Sequence, residues 1–142
     1  MSKITIEQMQ ALAEEKLPFA TAYGFRLERL SEGMAVVRAL YSDEFLRPGA
    51  TVSGPVMMGL ADYAMYAAVL TRIGIVELAV TTSLNINFLR RPLPGDVLAE
   101  ARLLKLGKRL AVGEVNLHSE GTDDLVAHVT ATYSIPPVKN ET

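Results

Sequence analysis

The stretch VSGPVMMGLADYAMYAAVL, Val52 to Leu70, is apolar almost throughout and holds one charged residue, Asp62. Its length and its Ala, Met and Leu content predict a helix from Pro55 to about Arg72. Gly54 offers a small cap, Pro55 suits the first helical position, and Gly74 supplies a stop. A helix that is apolar nearly all round has to be covered on most of its faces. A membrane could do that, but a span needs about 20 apolar residues. This run is shorter, carries an acid at its middle and meets Thr71 and Arg72. It is expected to be the buried helix of a folded domain.

Four strand-like runs follow it: Val80–Leu89, Val97–Leu106, Leu110–His118 and Leu125–Ile135. PLPGD, KLGKR and SEGTDD break the chain between them. The first run puts Leu84, Ile86 and Phe88 on one face and Ser83, Asn85 and Asn87 on the other. The last alternates cleanly, with Leu125, Ala127, Val129, Ala131, Tyr133 and Ile135 facing one way. Ahead of the helix, Phe25–Leu30 and Met34–Tyr41 read as strands joined at SEG, with Gly33 in the turn. Ile6–Lys16 reads as a short amphipathic helix ending before Pro18, and SDEFLRPGATVSGP, from Ser42 to Pro55, as a loop. An antiparallel sheet with one wet face needs an apolar partner on the other. The central helix is the one element apolar enough, so the expected class is α+β, an antiparallel sheet wrapped around one long helix.

The chain of 142 residues suits one domain. Its parts are an N-terminal helical segment (1–23), a core (24–135) and a tail (136–142). With 49% hydrophobic and 21% charged residues, disorder is not expected. A net charge of -2 and no large basic block argue against nucleic acid or an anionic membrane as partner. The absence of cysteine excludes a disulfide framework, a cysteine nucleophile and a thiolate metal site. The N-terminus has no apolar run of signal-peptide length, and a cytoplasmic location is expected. His118 and His128 fall on polar strand faces and are expected to face solvent; no third ligand accompanies them. No Ser-His-Asp grouping is evident, and no metal or bound cofactor is called for.

Asp62 has two readings. It is a structural acid satisfied by hydrogen bonds, or a poised base or nucleophile whose basicity burial raises and hydrogen bonds lower. Ser53-Gly54-Pro55 likewise either caps the helix or presents backbone N–H groups and the positive dipole end to a developing oxyanion. Asp62 lies eight residues after Gly54, about 12 Å along a helix axis. A reacting atom has to sit about 3 Å from both base and oxyanion donor. One helix cannot supply both, whereas two antiparallel copies in a two-fold dimer can, so the catalytic reading requires a dimer.

RPGATVSGPVMMGLADYAMYAA, with TTSLNINFLRRPLPGD and KLGKRLAVGEVNL after it, resembles the hotdog-fold acyl-CoA thioesterases of the phenylacetyl-CoA (PaaI-like) type. The likeness runs from about Gly24 to Ile135. The family pattern is Asn-Pro-x-Gly-x-x-His-Gly-Gly, then a short run of residues, then Leu-x-Asp. Its ending falls on Leu60-Ala61-Asp62 and its His-Gly-Gly on Ser53-Gly54-Pro55; its leading Asn falls on Arg47. The resemblance implies a hotdog dimer. In it the Asp62 carboxylate attacks the thioester or activates water. The Gly54 N–H of the facing subunit polarises the carbonyl, Thr81 orients the water, and Ser53 adds a polar group. Arg90, Arg91, Lys108 and Arg109 are placed to hold CoA phosphates. Arg47 is placed for a carboxylated acyl group or a phosphate. Met57, Met58, Met65, Tyr63 and Tyr66 read as core or subunit seam, with Tyr66 placed against the acyl chain.

Three functions stay open at this point. One is hydrolysis of an acyl-CoA thioester to free acid and CoA, in a homodimer or a dimer of dimers. The second is a hotdog dimer that holds an acyl thioester or other apolar ligand without cleaving it, since the His-Gly-Gly is altered. The third is a structural dimer with Asp62 as a satisfied interface acid.

Overall fold

In the computed structural model the core helix runs from Gly54 to Ile73, one residue longer at each end than expected. Residues 1–137 are described; positions 138–142, most of the expected tail, lie outside the described residues. In chain order the elements are α1 (Ile6–Lys16), α2 (Pro18–Ala22), β1 (Phe25–Ser31), β2 (Met34–Ala39), a 3-10 turn (Asp43–Phe45), β3 (Leu46–Arg47), β4 (Thr51–Val52), α3 (Gly54–Ile73), β5 (Val80–Phe88), β6 (Val97–Leu106), β7 (Leu110–Ser119) and β8 (Leu125–Ser134).

Six strands form one antiparallel sheet in the order β1-β2-β6-β7-β8-β5. The sheet curls around α3, which is the hotdog arrangement the sequence resembles. Apolar positions of β2, β6, β7 and β8 alternate inward, and Ala35, Val37, Ala99, Val115, Leu117 and Val129 meet the helix in one core. By length and composition α3 would also qualify as a membrane span. Its coverage by the sheet instead puts Leu60, Ala64, Met65, Ala68 and Leu70 entirely out of contact with solvent. Apart from its two ends, where Gly54, Arg72 and Ile73 open to solvent, the helix is uncovered along one stripe: Pro55 and Met58 are exposed, and Gly59 and Asp62 are half-buried. Their spacing of three, four and seven residues is one helical face.

Local chemistry fixes the ends. Gly74 closes α3 with φ 83, and its N–H bonds to the Leu70 carbonyl. The Gly33 turn (φ 75) between β1 and β2 is latched to the far end of α3, its N–H donating to the buried Thr71 hydroxyl at 2.8 Å. Thr5 and Gln8 cap α1 reciprocally, and its buried Met9, Leu12 and Ala13 join the core. Pro18 does stop α1, but it also opens α2, a turn of helix the sequence did not announce. The expected loop from Ser42 to Pro55 contains the 3-10 turn and the short β3–β4 pair, in which Arg47 faces Thr51.

Candidate active site

Asp62 sits at the middle of α3 with its carboxylate aimed between β5 and β8. Its Oδ1 receives two hydroxyls: Thr81 donates at 2.5 Å and Tyr133 lies at 2.6 Å. The Tyr133 hydroxyl also lies 2.9 Å from the main-chain oxygen of Asp62. Among the described residues no donor reaches Oδ2.

The strand geometry that delivers Thr81 is irregular. Along β5, Leu84, Ile86 and Phe88 point toward the helix side, opposite Ala131, Val129 and Ala127 of β8. Continued alternation would turn Thr82 inward and Thr81 outward. A bulge intervenes: Thr81 pairs with Tyr133 and Ser83 with Thr132, leaving Thr82 as the extra residue. Thr82 points out, its hydroxyl on the Thr132 carbonyl at 3.2 Å. Thr81 and Tyr133 therefore stand side by side facing Asp62.

The surroundings are apolar. A cavity of about 160 Å³ opens at Asp62, walled by Leu17, Phe19, Tyr63, Tyr66, Val80 and Tyr133. Tyr66 spends its hydroxyl on the Glu77 carbonyl at 3.1 Å and turns its ring toward the cavity. Burial, and then the Asp62 charge, push the Tyr133 phenol well above the usual tyrosine range, so it stays a donor. Burial also raises Tyr63, to about 12, and Tyr66 upward.

Gly54 lies elsewhere in the same protomer. It opens α3, preceded by Ser53 at the cap position, so the helix begins one residue earlier than Pro55. The Ser53 hydroxyl makes no capping bond, so the start of the helix lacks a side-chain cap. A groove of about 480 Å³ runs past Gly54 and is walled by Arg47, Met57, Phe88, Arg90 and Arg91. The Phe88 ring comes to 3.3 Å of where a Cβ on Gly54 would stand. Arg90 has a loose pair with Asp124 at 3.5 Å. Arg91 lies over Gly49 in the turn between β3 and β4. Asp62 and Gly54 are thus in separate clefts of one chain, as their spacing on the helix requires.

Lys108 and Arg109 are not in either cleft. They wall a third groove with Lys3, Arg72, Ile73 and Ile135, at the opposite end of α3 from Gly54. The two histidines are half-buried rather than free in solvent: His128 meets Glu114 at 2.9 Å and His118 meets Glu100 at 3.5 Å. Among the described residues no three His, Asp or Glu side chains gather as metal ligands would.

The sequence reading did not give Tyr133 a role beyond the inward face of β8. The available signal was its hydroxyl: a buried tyrosine needs a polar partner, and Asp62 was the one acid on the facing helix. Leu17 and Phe19 were also missed as cavity walls, because the N-terminal segment carries no pattern that ties it to the helix.

A model of the thioesterase superfamily matches residues 49–126, which span the helix start, Asp62, β5, β6 and β7. A candidate thioesterase of a Silicibacter species, known by crystal structure, is 44% identical, with a TM-score of 0.88 over 96% of this chain and 95% of that one. The phenylacetic acid degradation protein PaaI of Thermus thermophilus, solved as a point mutant, is 32% identical, with a TM-score of 0.73 over 84% of this chain and 99% of that one. A candidate esterase of Saccharolobus solfataricus is 30% identical over 112 residues, 79% of this chain and 73% of the relative. Matched through the segment that holds both Gly54 and Asp62, the chain belongs to the thioesterase superfamily.

Proposed function

We propose that the protein hydrolyses an acyl-CoA thioester to a free acid and CoA, in a site shared by two copies of the chain. The observation that carries this reading is the Asp62 carboxylate, set in an apolar cavity with one oxygen held by two hydroxyls and the other met by no donor among the described residues. Such a carboxylate serves as base or as nucleophile. As a base, Oδ2 takes a proton from water while the water oxygen bonds to the acyl carbon. The negative charge that develops on the carbonyl oxygen rests on the Gly54 N–H of the other copy. The C–S bond then breaks, and the departing thiolate takes the proton back from Asp62. The uncovered stripe through Pro55, Met58, Gly59 and Asp62 is the face along which two helices would pair. The 44% likeness to a candidate thioesterase supports the reaction class.

Thiol release measured across a panel of acyl-CoAs, with size-exclusion light scattering alongside, tests this. The expected result is turnover of at least one substrate by a dimer, and loss of turnover in Asp62→Ala with the dimer retained. Undiminished activity in Asp62→Ala would end the reading. One feature favours a second reading, a dimer that binds an acyl thioester without cleaving it. Pro55 has no N–H, so the helix start offers one donor fewer. Tight binding with no thiol released across the panel would select that alternative.

A further inference from the structure

We infer that Tyr133 is a positioning residue of this site: with Thr81 it pins Oδ1 of Asp62, so that Oδ2 is the oxygen that meets water or the acyl carbon. The inference rests on the hydrolase reading above. An aspartate free to turn about its Cβ–Cγ bond presents either oxygen to a substrate. Two charge-assisted hydroxyl contacts on one oxygen remove that freedom. The contacts here are short, 2.5 Å from Thr81 and 2.6 Å from Tyr133, and both end on Oδ1.

A purely structural tyrosine could satisfy its hydroxyl on the Asp62 main-chain oxygen, which lies 2.9 Å away. The carboxylate oxygen is the nearer acceptor. The ring itself is held, nearly all of it out of solvent, beside Tyr66 at a centroid distance of 6.1 Å. The bulge at Thr82 then brings Thr81 into line with it across the β5–β8 ladder. Three separate features, a bulge, a cross-strand pair and an inward phenol, converge on one oxygen atom. Convergence of this kind fixes a reacting group to a fraction of an ångström. Neither hydroxyl proton has to move during the reaction: the proton taken from water goes to Oδ2 and leaves with the thiol.

The test is Tyr133→Phe, which keeps the ring and removes the donor. On the best acyl-CoA, kcat is expected to fall about ten- to a hundredfold with KM changed less than about threefold. Thr81→Val should lose a similar amount, and Thr81→Ser should restore it. A merely structural tyrosine would lower the melting temperature and leave kcat of the folded protein alone. In proton NMR the wild type should show an exchange-protected hydroxyl proton downfield, absent in Tyr133→Phe and moved upfield in Asp62→Asn. Turnover by Tyr133→Phe equal to wild type, or a wild type without that resonance, overturns the inference and leaves the hydrolase reading standing. A wild type that releases no thiol from any acyl-CoA overturns the hydrolase reading itself.

Discussion

The side chain of Met65 on α3 occupies the space that a Cβ on Gly113 of β7 would need. An added methyl there would overlap the thioether and stand 2.7 Å from the Arg102 carbonyl oxygen. The backbone of β6 cannot yield as a flexible side chain would. Gly113→Ala is therefore expected to cost about 1–3 kcal/mol of stability through overpacking. Urea unfolding of the variant checks this, and in a Met65→Ala background, itself destabilised by the emptied core site, Gly113→Ala should cost less than it does in the wild type. An equal cost in both backgrounds would place the strain on the β6 carbonyl alone.

The bulge in β5 makes opposite predictions for two neighbouring threonines. Thr81 faces Asp62, while Thr82 is exposed and bonds to the Thr132 carbonyl. Thr82→Val should leave acyl-CoA turnover within about twofold of wild type, as exposed substitutions usually do. Thr81→Val should lower it by about tenfold or more, because a charge-assisted contact is lost. If regular alternation governed the strand, the two results would be exchanged.

The three clefts separate the basic residues, and substrate truncation can tell their work apart. Arg47, Arg90 and Arg91 share the groove at Gly54, whereas Lys108 and Arg109 lie with Lys3 and Arg72 near the end of α3. Arg90→Gln with Arg91→Gln is expected to raise KM for an acyl-CoA by about tenfold and to flatten its dependence on salt. The N-acetylcysteamine thioester of the same acid, which lacks the phosphates, should show no such change. Lys108→Gln with Arg109→Gln, run in parallel, shows which basic pair meets the nucleotide. Equal losses on both thioesters would mean the arginines hold the fold or the acyl group instead.

Acid should weaken the outer face of the sheet first. Glu114 of β7 accepts from His128 of β8 and from Arg102 of β6, and these two contacts hold its carboxyl below the ordinary value of 4.5. A depressed folded-state value means that the unfolded chain binds the proton more readily. The stabilisation is thus complete above 4.5 and is lost as pH falls through the lower, folded-state value. Melting temperature followed against pH should drop in that window. Glu114→Gln should flatten the drop while lowering stability at neutral pH. An unchanged acid limb in that variant would assign it to other carboxylates.

Much of this architecture was legible because long periodic segments speak clearly. The core helix, β6 and the limits of α1 follow from apolar spacing and from Pro18 and Gly74, with other strand ends off by a residue or two. The site was legible in part. Asp62 stood out as a lone acid in an apolar run, and its separation from Gly54 followed from helical rise. Thr81 was reached through the family likeness alone, since alternation from Leu84 would have turned Thr82 inward; a bulge leaves no trace in a simple period of two. Tyr133 was placed on the correct face without a partner, because pairing across 71 positions depends on the fold. The silent hydroxyl of Ser53 depends on loop geometry, and the cavity wall formed by Phe19 on how α2 docks, neither of which composition encodes.

β5 is hydrogen-bonded to β8 on one side and stands at the border of the sheet on the other. Val80 and Phe88, at its two ends, are each at least half open to solvent. A nine-residue border strand whose outward-pointing amides are unspent, flanked by oily side chains, is adhesive toward any extended peptide. Under the two-copy assembly proposed above, dilution is therefore a hazard: a copy not yet paired is the species chaperones would have to shield. Recombinant yield is then expected to rise with conditions that speed association, and Asn85→Lys or Asn87→Lys should improve the solubility of a solitary copy.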